Sequence, residues 1–161
     1  MSATPRDIRR LAFQVLYQMD ARGGDDSTEV ASIGEEDERG PRFTPAEQKK
    51  AYELARAAYE GREAADTFMT EAAPGWPAHR QAAVDRAILR LAHHEMVSGK
   101  THPKIAVNEA VELAKAYSTD KSPAFINGLL DRLLKKVLGQ KAAAEESTPV
   151  PQDGQNGGAS E

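Results

Sequence analysis

Arginine and aromatic side chains recur on one side of segment 5–21, where the residue types fit a recognisable chemical task. At about 100° per residue, one face of a helix over this segment carries Arg6, Arg10, Phe13 and Tyr17, and Arg9 lies at the edge of that face. Guanidinium groups bind phosphate and aromatic rings stack on bases, which is the chemistry that single-stranded RNA requires. The pattern therefore indicates an RNA-binding face. In the alternative interpretation, both rings pack beneath a second layer of helices and the arginines are only solvated.

The opposite face of the same segment is apolar. Its residues follow the spacing of a core-facing helical stripe: Ile8, Leu11, Ala12, Val15, Leu16 and Met19. This spacing predicts a helix over about 5–21 that turns one side towards a core and the arginines away from it.

The sequence lacks the motifs that support enzyme chemistry. It contains no cysteine, no phosphate-binding glycine loop and no nucleophile elbow. His93 and His94 are adjacent, so on a helix they point to different sides and cannot chelate one metal ion. We therefore expect no catalytic residue, no metal, no cofactor and no enzyme activity. Glu95 falls on the apolar stripe of its predicted helix, and we interpret it as a buried structural acid that requires a hydrogen-bonding or cationic partner.

The other periodic segments are also helical in pattern. Thr44 and Glu47 have the spacing of a capping box, and the predicted helices cover about 44–60, 62–72, 78–98 and two stretches within 103–138. The break at 73–77 contains two prolines and a glycine, and it separates an N-terminal half (5–73) from a C-terminal half (78–138). The chain is thus predicted to be all-α.

Gly128 lies inside the last predicted helix, where glycine costs roughly 1 kcal/mol relative to alanine. Two explanations are open for it. Either two helices come into close contact there, or a ligand or partner backbone approaches the helix at that point.

The net charge of −4 is unevenly distributed. Segment 23–40 carries −6 and segment 141–161 carries −3, which leaves about +5 for the remainder. We predict that 22–43 is a mobile acidic loop, either simply solvated or competing with RNA for the basic face. Segment 139–161, rich in Pro, Gly, Gln and Ser, is predicted to be a disordered tail.

The compartment is also indicated by what the sequence lacks. Without cysteine there is no disulfide framework, which favours a reducing compartment. The N-terminus has no signal-peptide pattern, and no apolar run approaches the length that spans a membrane. We expect a cytoplasmic protein that does not bind membranes.

Three blocks of this sequence, in order, resemble the NusB family of transcription antitermination factors: RRLAFQVLYQMD, DRAILRLAHHEM and IAVNEAVELAKAYSTDKSPAFINGLLDRL. The resemblance implies an all-α fold of about seven helices in two packed small bundles, covering residues 1–138. It also implies a function: binding boxA-type single-stranded RNA together with a NusE-type small-subunit ribosomal protein. In the antitermination complex these make RNA polymerase resistant to termination, notably on rRNA operons.

The same resemblance suggests which residues meet each partner. Arg6, Arg9 and Arg10 match the arginine-rich start of the family, while Lys121 and Phe125 match its other RNA-facing positions. The positions expected to face the protein partner are Tyr17 and Asp85. Two alternatives stay open: a homo-oligomeric scaffold, in its simplest form a homodimer, with little RNA binding of its own, and a detached recruiting domain related to rRNA methyltransferases.

Overall fold

The computed structural model describes residues 3–24, 33 and 40–147, with side chains up to residue 143, and all regular secondary structure in this part of the chain is helical. It contains six α-helices and one short 3-10 turn between the third and fourth: α1 (Pro5–Ala21), α2 (Pro45–Glu60), α3 (Arg62–Ala72), the turn (Ala78–Arg80), α4 (Ala83–Ser98), α5 (Pro103–Tyr117) and α6 (Ser122–Ser147). The prediction of an all-α protein with about seven helices is confirmed.

The first two helices begin with the same capping device. Thr44 accepts a hydrogen bond from the backbone N–H of Glu47, whose side chain accepts one from the backbone of Thr44, which confirms the predicted capping box. Thr4 and Asp7 form the equivalent box at the start of α1. The backbone hydrogen bond from Thr4 lowers the pKa of Asp7. Asp7, which lies between Arg6 and Arg9 in the sequence, therefore caps the helix that carries these arginines.

Helix α4 is the centre of the molecule, since it packs against each of the other five helices. Its buried side chains belong to one continuous core, to which α1, α2, α3, α5 and α6 all contribute. The break at 73–77 therefore separates two parts of the sequence, but both parts contribute to the same core. The proposed halves, 5–73 and 78–138, pack together through α4.

A group of ion pairs also joins α4 to the N-terminal half. Arg90 binds Asp20 of α1 at 3.0 Å and Asp66 of α3 at 2.7 Å, and Arg86 binds Asp20 at 2.6 Å. Burial alone would raise the pKa of Asp20, but the hydrogen bonds and charges of the two arginines outweigh burial and lower this pKa. The seam between the halves is thus held by paired charges as well as by apolar contacts.

The last helix is longer than predicted. It runs through Ser147, so the predicted start of a disordered tail at residue 139 is wrong. Segment 141–146 consists of Lys, Ala and Glu, and the high helix propensity of these residues favours continuation of the helix. Residues 148–161 of the predicted tail lie outside the described residues.

The structure also bears on the predictions made for Gly128 and for the acidic loop. Gly128 is exposed, and a Cβ added there would have no neighbour within 4 Å, so a close helix–helix contact is not the reason for this glycine.

Helix α1 ends in a turn where Gly23 and Gly24 adopt positive φ angles of 65° and 92°. Most of the predicted acidic loop, 25–32 and 34–39, lies outside the described residues. No helix in the part of the chain that the structure describes is long and apolar enough to cross a membrane.

Candidate functional site

Two of the three predicted arginines are accessible at the start of α1. The Arg6 side chain is 64% exposed and its guanidinium donates to Glu109 of α5 at 3.0 Å. The Arg10 side chain is 30% exposed and donates to Asp7 at 3.3 Å. Ion pairs at this level of exposure are weak and screened by salt, so a phosphate can replace the carboxylate. We name Arg6 and Arg10 the basic surface.

Arg9 is placed differently from its two neighbours. Its side chain is 13% exposed, and its Nε donates to both carboxylate oxygens of Glu95 at 3.0 Å. Glu95 is 2% exposed and also accepts a hydrogen bond from the hydroxyl of Thr101 at 2.7 Å. The prediction that Glu95 is a buried structural acid is confirmed. The RNA contact expected of Arg9 stays a prediction, and the guanidinium would have to leave Glu95 to make it.

Phe13 lies in the core. It is 3% exposed, and its ring centroid is 5.2 Å from that of Tyr117 on α5, with the ring planes tilted by 47°. The expectation that Phe13 lies on an open face is therefore wrong as a description of its position, because α5 covers that side of α1. The periodicity of α1 alone could not reveal a cover supplied by a helix about 100 residues later in the chain.

Tyr17 opens onto a groove between α1, α4 and α5. This aromatic groove has a volume of about 190 Å³ and is lined by seven residues: Phe13, Gln14, Tyr17, Gln18, Ile33, Val84 and Tyr117. Tyr17 is 38% exposed and Tyr117 is 40% exposed. Tyrosines around an apolar floor, flanked by glutamine amides, are typical of surfaces that bind other proteins. Sequence reasoning missed Tyr117 and Val84 here, although Tyr117 ends the apolar face of its helix.

The α5–α6 turn, residues 118–121, and the first coil of α6 carry the other predicted RNA contacts. Lys121 is exposed in this turn, and Phe125 follows in the first coil of α6, half-buried against the core. Asp85 lies beneath the turn and is 8% exposed. It accepts a hydrogen bond from Ser118 at 2.6 Å on one carboxylate oxygen and from Ser122 at 2.9 Å on the other. The predicted partner-facing position of Asp85 thus holds a side chain that is buried and already bonded.

The remaining titratable groups do not form a metal centre within the described ranges. No group of three or more His, Asp or Glu side chains there could hold a metal ion. Burial lowers the pKa of His93, and the charges of His94 and Lys136 lower it further. The pKa of His94 is likewise lowered, first by burial and then by Lys100. Both rings are therefore favoured in the neutral form.

These features define an all-helical binding protein with one continuous core, an arginine-bearing helix start and an aromatic groove. Within that class, the chain belongs to the NusB family, whose model matches residues 6–135.

Similar proteins cover nearly the whole chain. The transcription antitermination protein NusB of Symbiobacterium thermophilum is 41% identical over 153 residues, which cover 92% of this chain and 98% of that protein. The protein of the same name from Saccharopolyspora erythraea is 39% identical over 147 residues, covering 85% and 95% respectively.

Solved structures agree with this relationship. T. maritima NusB superposes with a TM-score of 0.68 at 30% identity and covers 84% of this chain and 94% of its own. A chain in the crystal structure of antitermination factors NusB and NusE in complex with dsRNA gives a TM-score of 0.67 at 26% identity, covering 81% and 96%.

Proposed function

We propose that this protein is a transcription antitermination factor that binds boxA-type RNA together with a NusE-type ribosomal protein. The complex makes RNA polymerase resistant to termination, notably on rRNA operons. Family membership and the names of the relatives support this function, as does the solved NusB–NusE–RNA complex. The observation in this molecule that carries it is the arrangement along α1. The exposed Arg6 and the partly exposed Arg10 lie at the start of the helix, and Tyr17 opens an aromatic groove near its end.

The RNA is bound by the basic surface together with the α5–α6 turn. Arg6, Arg10 and Lys121 contact phosphates, and the exposed edge of Phe125 contacts a base. Arg9 and Phe13 support this site indirectly. They fix α1 against α4 and α5, so that the neighbouring arginines keep their spacing.

The NusE-type protein is bound at the aromatic groove. Tyr17 and Tyr117 offer two partly exposed rings over an apolar floor, which can take an apolar side chain of the partner while the hydroxyls stay hydrated. Both tasks require binding and no covalent chemistry, so the protein acts without enzyme activity, and it acts in the cytoplasm, where transcription complexes form.

Fluorescence anisotropy of a labelled boxA RNA oligonucleotide tests this function, with and without the NusE-type protein and across a salt series. We expect the RNA to bind more tightly when the protein partner is present. The logarithm of the affinity should fall linearly with the logarithm of salt, with a slope of about −0.7 per phosphate contacted on a single strand. A matched control is an RNA of the same length and composition in scrambled order.

A homo-oligomeric scaffold is the second candidate, and the exposed rings of Tyr17 and Tyr117 favour it, because a second copy could bury them. Size-exclusion chromatography with light scattering separates the two functions. A chain that binds no RNA under either condition, and whose dimer is broken by Tyr17→Asp, would support the scaffold and reject antitermination. A monomer that binds RNA only with its partner would reject the scaffold.

A further inference from the structure

Asp85 joins three elements of the fold at one point. It lies in the first turn of α4, and its two carboxylate oxygens accept hydrogen bonds from Ser118 at the end of α5 and Ser122 at the start of α6. Thr119 and Ser122 are also in hydrogen-bonding distance, at 3.0 Å. The hydroxyl groups of the turn are thus organised around one buried carboxylate.

This arrangement fixes the backbone on both sides of Lys121. The α5–α6 turn spans only four residues, and Asp85 binds both Ser118, which begins the turn, and Ser122, which directly follows it. Lys121 itself is exposed, directly before Ser122, and Phe125 follows one helical turn after it. Hydrogen bonds to an ionised carboxylate are stronger than those between neutral groups, so they hold the turn in one conformation.

We propose that Asp85 is a positioning residue for RNA binding, which holds Lys121 and Phe125 in place through Ser118 and Ser122. This inference rests on the proposed function, since it assumes that the α5–α6 turn meets RNA. It differs from a direct role of Asp85 at the protein partner. A side chain that is 8% exposed, with a hydroxyl on each carboxylate oxygen, has little left to offer a second protein.

The test uses the full chain with Asp85→Asn, Ser118→Ala and their double variant. Each single change should weaken binding of the labelled boxA RNA by about tenfold, the typical effect of losing one charge-assisted hydrogen bond. The double variant should be little worse than either single one, because the two residues act through the same bond. Affinity for the NusE-type protein, measured by calorimetry without RNA, should be unchanged.

Two further variants separate positioning from a general loss of stability. Ser118→Thr keeps the hydroxyl, and the extended backbone at this residue (φ −117°, ψ −168°) suits threonine, so RNA binding should return to the wild-type level. Asp131→Asn removes an exposed carboxylate of α6 that pairs with Lys135, and it should leave both affinities unchanged. In the RNA-free chain, Asp85→Asn should speed amide hydrogen exchange in residues 118–125 and leave α1 protected.

Two outcomes would overturn the inference. One is unchanged exchange in the turn of the Asp85→Asn variant. The other is a loss of partner affinity in Asp85→Asn that Ser118→Ala does not reproduce, which would assign Asp85 a direct partner contact. A wild-type chain that fails to bind RNA would instead refute the proposed function, and the exchange measurement would still decide whether Asp85 holds the turn.

Discussion

Arg6 and Arg9 lie one helical turn apart on α1 and both reach the carboxylate of Glu109, yet the fold gives them opposite environments. The Arg6 side chain is 64% exposed, whereas that of Arg9 is 13% exposed and also binds the buried Glu95. The two residues are of the same type, and the sequence pattern places both on one face of α1. The comparison shows that the role of an arginine is decided by the carboxylates that distant helices bring to it.

Removal of the Arg9 side chain is the strongest test of this contrast. Arg9→Ala leaves Glu95 charged, buried and without its cation, and breaking such a pair typically costs about 3–5 kcal/mol. The free energy of unfolding, measured by urea denaturation, should fall by this order, and the Arg9→Ala/Glu95→Gln double variant should recover part of the loss. Arg6→Ala is the matched control and should leave the urea midpoint unchanged. An Arg9→Ala chain of normal stability that loses RNA would show that Arg9 is a direct contact.

A second test extends the comparison to Asp20, which also pairs with two arginines, the partly buried Arg86 and the buried Arg90. Its pKa is lower in the folded chain than the ordinary value of 3.8, so below that pH the unfolded chain binds more protons than the folded one. The stability that Asp20 contributes is therefore present at neutral pH and is lost as the pH falls through the folded pKa.

We expect Asp20→Asn to lower the free energy of unfolding by about 2 kcal/mol at pH 7, since it removes charge-assisted hydrogen bonds. The difference between variant and wild type should shrink as the pH falls towards 3. Thermal unfolding followed by circular dichroism across this range measures both quantities. A difference that stays constant with pH would mean that the charge of Asp20 contributes nothing to folding.

Substitutions in the basic surface should weaken RNA binding and leave the stability of the fold unchanged, which is the opposite of the effect expected for Arg9. The Arg6→Ala/Arg10→Ala variant should bind boxA RNA about tenfold more weakly, and its salt slope should flatten by about 0.7 for each phosphate that the variant no longer binds. Its melting temperature should match the wild type. Equal losses of RNA affinity and melting temperature would place both arginines in the fold and outside the site. The Lys49→Ala/Arg56→Ala variant, which also removes two positive charges, from the surface of α2, is the charge-matched control.

The sequence was sufficient to predict what depends on neighbours along the chain. Helical periodicity and the capping box at Thr44 gave the elements, and the position of Glu95 on an apolar stripe required a buried partner. What could not be predicted depends on contacts between segments far apart in the chain. Tyr117 covers Phe13 from α5, and the hydroxyls of Ser118 and Ser122 close over Asp85 on α4. The periodicity of a helix shows which of its faces is apolar. It does not show which polar face a helix further along the chain will cover.

Gly128 offers the smallest effect and the finest distinction between folding and binding. It lies one helical turn after Phe125 on α6, and Lys121 is in the turn directly before that helix. A Cβ at Gly128 or at Gly139 would meet nothing within 4 Å, and neither glycine has a positive φ, so alanine fits at both. Each substitution should stabilise the chain by up to about 1 kcal/mol through helix propensity.

RNA binding should separate these two glycines, although they behave alike in folding. If RNA approaches the backbone of α6 beside Lys121, Gly128→Ala places a methyl group in its path and weakens binding severalfold. Gly139→Ala, three turns further along the helix, should leave binding unchanged. Anisotropy with the boxA RNA measures the difference. Equal affinity in both variants would mean that no ligand approaches Gly128, and that this chain carries the glycine at a cost to its own stability.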